Sequence, residues 1–321
     1  MKAALIGVGY WGKNYLRLLS EDPTLELLYV ADVSPDAISK VEVGEGTLKT
    51  SNLDDIFNSR DVDFVVVTTP ASTHYDIVKH ALMSGKSVLV EKPLTLSSKE
   101  ATELINLAED SGLILLTGHT YLYNDAYRFL KNYLDSGKLG ELLYVYGVRM
   151  GLGPIRNDAS CLWDLAVHDI SMALDLTGKI PEKYSIISSS FINSKKSITD
   201  FASVGLLYSS GPTFSFTVSW YSPSKVREWK LVGSKAMVTF NDMNKEYPVT
   251  INEISVNSDA ERMALEGYYR VGDMSQPRIN AREPLKVLIE HFLELIKKGE
   301  SFRDELAVKV VTLIENLEKG S

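Results

Sequence analysis

One cysteine, Cys161, stands in 321 residues, so the chain can close no internal disulfide and cannot build a metal site from several thiolates. That usage fits a reducing, cytoplasmic environment. Positive charge is also scarce: 34 Lys and Arg face 42 Asp and Glu, for a formal net charge of -8. Nucleic acids and anionic membranes are recognised through basic patches, so neither is expected as the main partner. No apolar run approaches the roughly 18 residues that span a bilayer. The stretch Ala3-Ala4-Leu5-Ile6-Gly7 is too short for the core of an export signal. Repeats and low-complexity segments are missing, and so is any clear cluster of metal ligands; no metal is expected. What remains is a chain of 45% hydrophobic and 24% charged residues, long enough for two cores and suited to small-molecule chemistry.

The N-terminal third alternates strand and helix. Lys2 to Ile6 reads as a short buried strand, followed by Gly7-Val8-Gly9-Tyr10-Trp11-Gly12 and a helical pattern from Trp11 to Leu19. Strand, G-x-G-x-x-G and helix form a dinucleotide-binding arrangement. Gly7 allows the tight turn, Gly9 lets a pyrophosphate reach the backbone, and Gly12 lets helix and strand pack closely. A second apolar strand, Leu25 to Ala31, ends in Asp32, where such folds place the acid that binds a ribose 2'-hydroxyl. A carboxylate there would repel a 2'-phosphate and no arginine follows closely, so NAD is favoured over NADP. The bland alternative is three turn glycines and a helix-capping acid.

Further strands at Asp63 to Val67, Ser87 to Val90 and Leu113 to Thr117 alternate with helices at Ser72 to Ser84 and Ser97 to Ser111. This predicts an α/β domain over residues 1–120, a doubly wound parallel Rossmann sheet. The turns Thr68-Thr69-Pro70 and Glu91-Lys92-Pro93 then lie at the same edge as the glycine loop, facing the cofactor. His74 either caps the next helix or touches the nucleotide. Cofactor candidates are therefore Gly7, Gly9, Tyr10, Trp11, Gly12, Asp32, Thr68, Thr69, Pro70, His74, Glu91 and Lys92.

Residues 121–321 change pattern. An amphipathic helix from Tyr121 to Ser136 precedes a strand from Glu141 to Met150 and a helix from Cys161 to Leu176. Five strand-like runs between Tyr184 and Phe240 predict an α+β domain with a largely antiparallel open sheet. Asp242 to Pro277 reads as irregular, a substrate-side loop or subunit contact. Ile279 to Lys298 and Glu305 to Leu317 close the chain as helices, the last returning to cover the nucleotide domain.

Two features of this second half carry chemistry. On a helical wheel Asp164, His168, Ser171 and Asp175 form one polar seam on an otherwise apolar helix. Asp164 can orient one ring nitrogen of His168 and leave the other as a base; alternatively, two buried polar groups merely satisfy each other. Arg149, with Arg156 and Asn157 from a glycine-rich loop, suits a polyhydroxylated or anionic ligand, unless the arginines form loop salt bridges.

Taken together, Gly7-x-Gly9-x-x-Gly12, Glu91-Lys92-Pro93 and Asp164-x-x-x-His168-Asp169 resemble the family of glucose-fructose oxidoreductase and inositol 2-dehydrogenase, Gfo/Idh/MocA. The resemblance covers nearly the whole chain. It implies a Rossmann domain, a second domain whose open sheet mediates a homodimer or homotetramer, and an active site between them. It also implies that Lys92 contacts nicotinamide and substrate and completes a catalytic triad with Asp164 and His168. Tyr121 joins the substrate-side candidates. Trp163 departs from the small or aliphatic residue of many relatives; it joins the cofactor-side candidates, and its indole would stack on or restrict the substrate. The segment from Arg149 to Asp169 resembles relatives that oxidise the 3-hydroxyl of UDP-N-acetylglucosamine-type sugars.

The expected chemistry is reversible oxidation of a secondary alcohol of a sugar. A nucleotide sugar or sugar acid ranks first as substrate, a free sugar or cyclitol second. His168 is the base, and Lys92 either stabilises the developing oxyanion or itself moves the proton. Relatives that bind dinucleotide without catalysis supply a different reading, a regulator; the presence of Lys92, Asp164 and His168 speaks against it. Preference for NADPH would favour an aldehyde or imine reductase.

Overall fold

The structure is a computed structural model that describes residues 1–153, 155, 159–192, 198–209, 211–256 and 269–320. The chain divides into two compact units. Met1–Thr120 and Leu285–Glu315 make the first, Tyr121–Pro284 and Asn316–Ser321 the second.

In the first unit, strands β1 (Lys2–Ile6), β2 (Glu26–Ala31), β3 (Leu48–Thr50), β4 (Phe64–Val67), β5 (Ser87–Glu91) and β6 (Leu115–Gly118) alternate with helices α1 (Tyr10–Glu21), α2 (Pro35–Ser39), α3 (Asp54–Phe57), α4 (His74–Met83) and α5 (Ser98–Asp110). The sheet runs β3-β2-β1-β4-β5-β6, and every pairing is parallel. β4 and β5 are buried at every residue, as central parallel strands covered on both faces must be. The strand order reverses between β1 and β4, and the turns after β1, β4, β5 and β6 all leave from the carboxyl edge, where such sheets bind ligands.

The second unit holds α6 (Asp125–Asp135), β7 (Leu142–Met150), α7 (Val167–Thr177) and strands β8 (Lys183–Ser189), β9 (Phe201–Leu207), β10 (Thr213–Ser219), β11 (Val226–Gly233), β12 (Ala236–Asn241), β13 (Val249–Val256) and β14 (Tyr269–Ser275). They form one sheet in the order β14-β13-β12-β11-β7-β10-β9-β8. Among the described residues only β7 and β10 pair in parallel, so the sheet is mixed and largely antiparallel. Its alternation is regular: Val145, Phe214, Phe216, Leu231 and Val238 are buried, while the opposite face exposes Tyr144 and Tyr146. The last helices are α8 (Pro284–Lys298) and α9 (Glu305–Lys319); α8 packs Phe292 edge-on against Phe64 of β4, ring centres 5.4 Å apart. No helix among the described residues is long and apolar enough to cross a membrane.

Several elements differ from the pattern in the sequence. β3 and the short helices α2 and α3 fall between Asp32 and Asp63, where no element was expected, and α8 starts at Pro284 rather than Ile279. The helix expected from Tyr121 starts at Asp125, because the Asn124 side chain accepts from the Ala126 and Tyr127 N–H groups and caps it. The helix expected from Cys161 opens with a wide turn over Leu162–Ala166, in which the Val167 N–H reaches back five residues to the Leu162 carbonyl. Finally, the stretch read as irregular after Asp242 contains β13 and β14. Polar Asn252 and Glu253 and a register shift beside them break the alternation that would have announced a strand.

Candidate functional site

The glycine loop is shaped by two close approaches. Gly7 has a φ of 97°, a left-handed conformation that a side chain strains, and a Cβ on Gly12 would lie 2.1 Å from the Gly7 carbonyl oxygen. Gly9 differs, because a Cβ there meets nothing within 4 Å. The space beside it is open toward solvent or ligand. α1 begins here without a side-chain cap and without an acidic residue in its first turn, so its leading N–H groups and dipole can receive an anion. Tyr10 and Trp11 project from this turn, 84% and 43% exposed, edge to face at 6.0 Å. The Asp32 carboxylate accepts from the Val8 and Ser34 N–H groups, each at 2.9 Å. It is thereby fixed beside the loop, with lone pairs left for a diol. Lys40, the next cation along the chain, is paired with Asp36 at 2.6 Å. Open Gly9, an uncapped helix start and a tethered acid whose next cation along the chain is already paired together fit NAD.

The other carboxyl-edge turns are tied to this loop. Thr68 donates its hydroxyl to the Gly7 carbonyl at 2.7 Å. His74, expected at a helix cap or a nucleotide, is 1% exposed, with ring nitrogens 2.8 Å from the Pro93 carbonyl and 2.9 Å from that of Thr69. Its ring serves the protein backbone. Pro70 is exposed. Glu91, Lys92 and Pro93 are buried, and the Lys92–Pro93 peptide is cis. Tyr15 of α1 donates to the Glu91 carboxylate at 2.8 Å. Burial, and then the Glu91 charge, push the Tyr15 phenol well up, so it stays a donor. Nothing in the local pattern singled out Tyr15.

Next to this turn stands a residue the sequence reading passed over. His119 follows β6 and is 3% exposed; neither ring nitrogen has a hydrogen-bond partner among the described residues. Burial, with the nearby Lys92 charge, pulls it down to about 3, and the ring is neutral near pH 7.

The second unit arranges its candidates around α7. Asp164 sits in the wide turn, where its carboxylate accepts from the Trp220 indole N–H at 3.0 Å. The His168 ring packs against Tyr121, centres 4.9 Å apart. Behind Tyr121 lies Arg149, its guanidinium 4.2 Å from the ring centre, and the Tyr121 hydroxyl donates to Asp242 at 2.9 Å. For Arg149 the sequence left open a polyhydroxylated or anionic ligand and a salt bridge. It is buried and donates through Nε and Nη2 to both oxygens of Asp169 at 2.9 and 3.0 Å, as the second reading has it. Burial opposes its charge, but Asp169 and Tyr121 outweigh that and hold the guanidinium firmly protonated. With Trp229 also donating to Asp169 at 2.6 Å, the acid of the H-D pair is a structural hub. Its neutralisation of Arg149 removes the reason for assigning that arginine to an anion.

Two members of the polar seam are engaged by the protein. Asp175 accepts from Tyr127 and Lys131 of α6 at 2.6 and 2.8 Å, and Ser171 donates to the His168 carbonyl at 2.8 Å. Trp163 is buried, its indole N–H donating to Glu318 at 2.8 Å, so this edge of the indole is engaged by the protein. Arg156 and Asn157 lie outside the described residues.

A doubly wound parallel sheet carrying this glycine loop defines the class of dinucleotide-binding oxidoreductase folds. The family model described as the oxidoreductase family with NAD-binding Rossmann fold, GFO_IDH_MocA, matches residues 1–119. The GFO/IDH/MocA C-terminal domain matches residues 127–239. The chain belongs to the Gfo/Idh/MocA oxidoreductase family. It is similar to scyllo-inositol 2-dehydrogenase (NAD(+)) of Bacillus subtilis, 28% identical over 56% of this chain and 54% of that protein. UDP-N-acetylglucosamine 3-dehydrogenase of Acidithiobacillus ferrooxidans is 29% identical over 56% of each. The chain thus spans about half the length of the curated relatives it matches. A solved structure of the latter enzyme superposes with a TM-score of 0.80 over 100% of this chain and 97% of that one, at 22% identity, and shows the shared fold.

Proposed function

We propose that the protein is an NAD-dependent dehydrogenase acting on a secondary alcohol of a sugar, first a nucleotide sugar or sugar acid. The observation that carries this reading is the carboxyl edge of the first sheet, where a loop fit for a dinucleotide is hydrogen-bonded into the same framework as the buried Lys92 turn. When bound there, the nicotinamide supplies the hydride acceptor. The chain's own residues handle the proton and the charge. Loss of hydride from the carbinol carbon forms a ketone only if the hydroxyl proton also departs. His168 takes that proton, and the Lys92 ammonium donates to the oxygen as negative charge develops on it. Asp164, oriented by Trp220, stabilises the imidazolium. Tyr121 and the described part of the loop after Arg149 form the substrate side, with Arg156 and Asn157 as further candidates. A free sugar or cyclitol is the second reading, favoured by the similarity to an inositol dehydrogenase. Assembly into a homodimer or homotetramer in the cytoplasm would use the sheet face that exposes Tyr144 and Tyr146.

The test is NADH formation from NAD with a panel of UDP-N-acetylglucosamine, other nucleotide sugars, sugar acids, free sugars and inositols. Lys92→Met and His168→Ala should each lower turnover by roughly two to four decades while NADH still binds. Full turnover in both variants refutes the mechanism; tight NADH binding with no turnover on any member favours the regulator.

A further inference from the structure

A run of close polar contacts leads from the glycine loop to the Lys92 turn and back. From the loop, the Gly7 carbonyl accepts from Thr68 Oγ1 at 2.7 Å. One residue on, the Thr69 carbonyl lies 2.9 Å from His74 Nε2, and the other face of that ring reaches the Pro93 carbonyl at 2.8 Å. Across Lys92, the Glu91 carboxylate accepts from Tyr15 at 2.8 Å. Tyr15 belongs to α1, which starts at the glycine loop, and so the run returns to it. Lys92 is the only residue between the two tied positions, Glu91 and Pro93.

Each tie is costly to break. Tyr15 is 0% exposed, Glu91 6% and His74 1%, and a buried polar group that loses its partner pays its full desolvation penalty. The neighbouring strand leaves room for the phenol, since a Cβ on Gly118 of β6 would come within 3.1 Å of the Tyr15 hydroxyl. A neutral imidazole has one N–H and donates to one carbonyl; the protonated ring donates to both. The ring lies between the two turns, within hydrogen-bond distance of one carbonyl of each.

We propose that Tyr15 and His74 are positioning residues for Lys92, holding its turn in register with the glycine loop so that ammonium and cofactor meet at a fixed distance. This rests on the reading of Lys92 as the group that meets substrate and nicotinamide. A displacement of about 1 Å at such a group can cost up to about a hundredfold in rate.

Lys92 itself can be observed without a substrate. Trace labelling of the intact protein with acetic anhydride, followed by peptide mass spectrometry, gives its acetylation rate relative to exposed lysines. Tyr15→Phe, Glu91→Leu and His74→Ala should each raise that relative rate several-fold. Glu91→Gln, whose amide oxygen still accepts from Tyr15, should restore it nearly to the wild-type value. With UDP-N-acetylglucosamine or the panel member turned over fastest, kcat should fall on the order of tenfold or more in the first three variants, with NADH affinity within about twofold. Thermal midpoints serve as the folding control, and Tyr15→Phe is conservative enough to stand alone if His74→Ala unfolds. Wild-type Lys92 labelling in Tyr15→Phe and Glu91→Leu overturns the positioning role. So does turnover that Lys92→Met abolishes and Tyr15→Phe leaves intact. Full turnover in Lys92→Met overturns the reading underneath, which separates the two failures.

Discussion

His119 should make the protein acid-labile in a way one substitution can remove. In the unfolded chain a histidine titrates near 6.5, whereas in the folded protein burial and the Lys92 charge pull His119 down to about 3. Between those values the unfolded chain binds a proton that the native state refuses, so stability must rise with pH in this window. The contribution is complete above about pH 6.5 and is lost as pH falls toward 3. Each pH unit in the window is worth about 1.4 kcal/mol, so going from pH 7 to pH 5 should cost about 2 kcal/mol through this residue. Other groups titrate over the same range, and the variant His119→Phe isolates the effect. Phenylalanine also fits a site where the ring nitrogens have no partner among the described residues, so stability at pH 7 should hold or rise slightly. Urea denaturation followed by far-UV circular dichroism at pH 7 and pH 5 measures the difference of differences. Equal losses in wild type and His119→Phe would refute the reasoning, because the native ring would then be taking up its proton without penalty.

Three further outcomes follow from the same geometry. Gly12→Ala would place a methyl 2.1 Å from the Gly7 carbonyl oxygen, so the loop must open; NADH affinity by fluorescence titration should fall at least about tenfold, and unchanged affinity would discount the close packing. Asp32→Ala leaves the Val8 and Ser34 N–H groups without their acceptor and removes the repulsion of a 2'-phosphate. NADH binding should weaken by about 1–3 kcal/mol while the preference over NADPH narrows, and a preserved preference would mean that another residue selects the cofactor. Asp169→Ala strands the buried Arg149 charge, at a cost of about 3–5 kcal/mol in thermal or urea unfolding, part of which the double variant with Arg149→Met should recover.

Much of the fold was legible because its signals are local. Five strands of the first sheet announce themselves by short apolar runs, whereas β3, three residues long and mostly exposed, and the short α2 and α3 around it give no such signal. The glycine loop announces itself because a tight turn and a close helix contact require residues without side chains at fixed offsets. The second sheet was legible in part, through strands that alternate cleanly such as Thr213–Ser219. It faded where Asn252, Glu253 and a register shift interrupt the alternation. Helix starts were misjudged at Asn124 and Leu162, since a cap and a wide turn depend on geometry within one turn rather than on periodicity.

The sequence alone determined the class of chemistry: an acidic, cysteine-poor chain with a dinucleotide loop, an acid at the end of the second strand and a lysine at the end of β5. Tertiary structure decided which polar groups serve the fold. Arg149 finds Asp169 at a separation of 20 residues, Asp164 finds Trp220 at 56, Trp229 finds Asp169 at 60 and Tyr15 finds Glu91 at 76. Such pairings have no period and no fixed spacing. A buried donor or acceptor must be satisfied by whatever the packing brings within about 3 Å, and only the folded chain determines what that is.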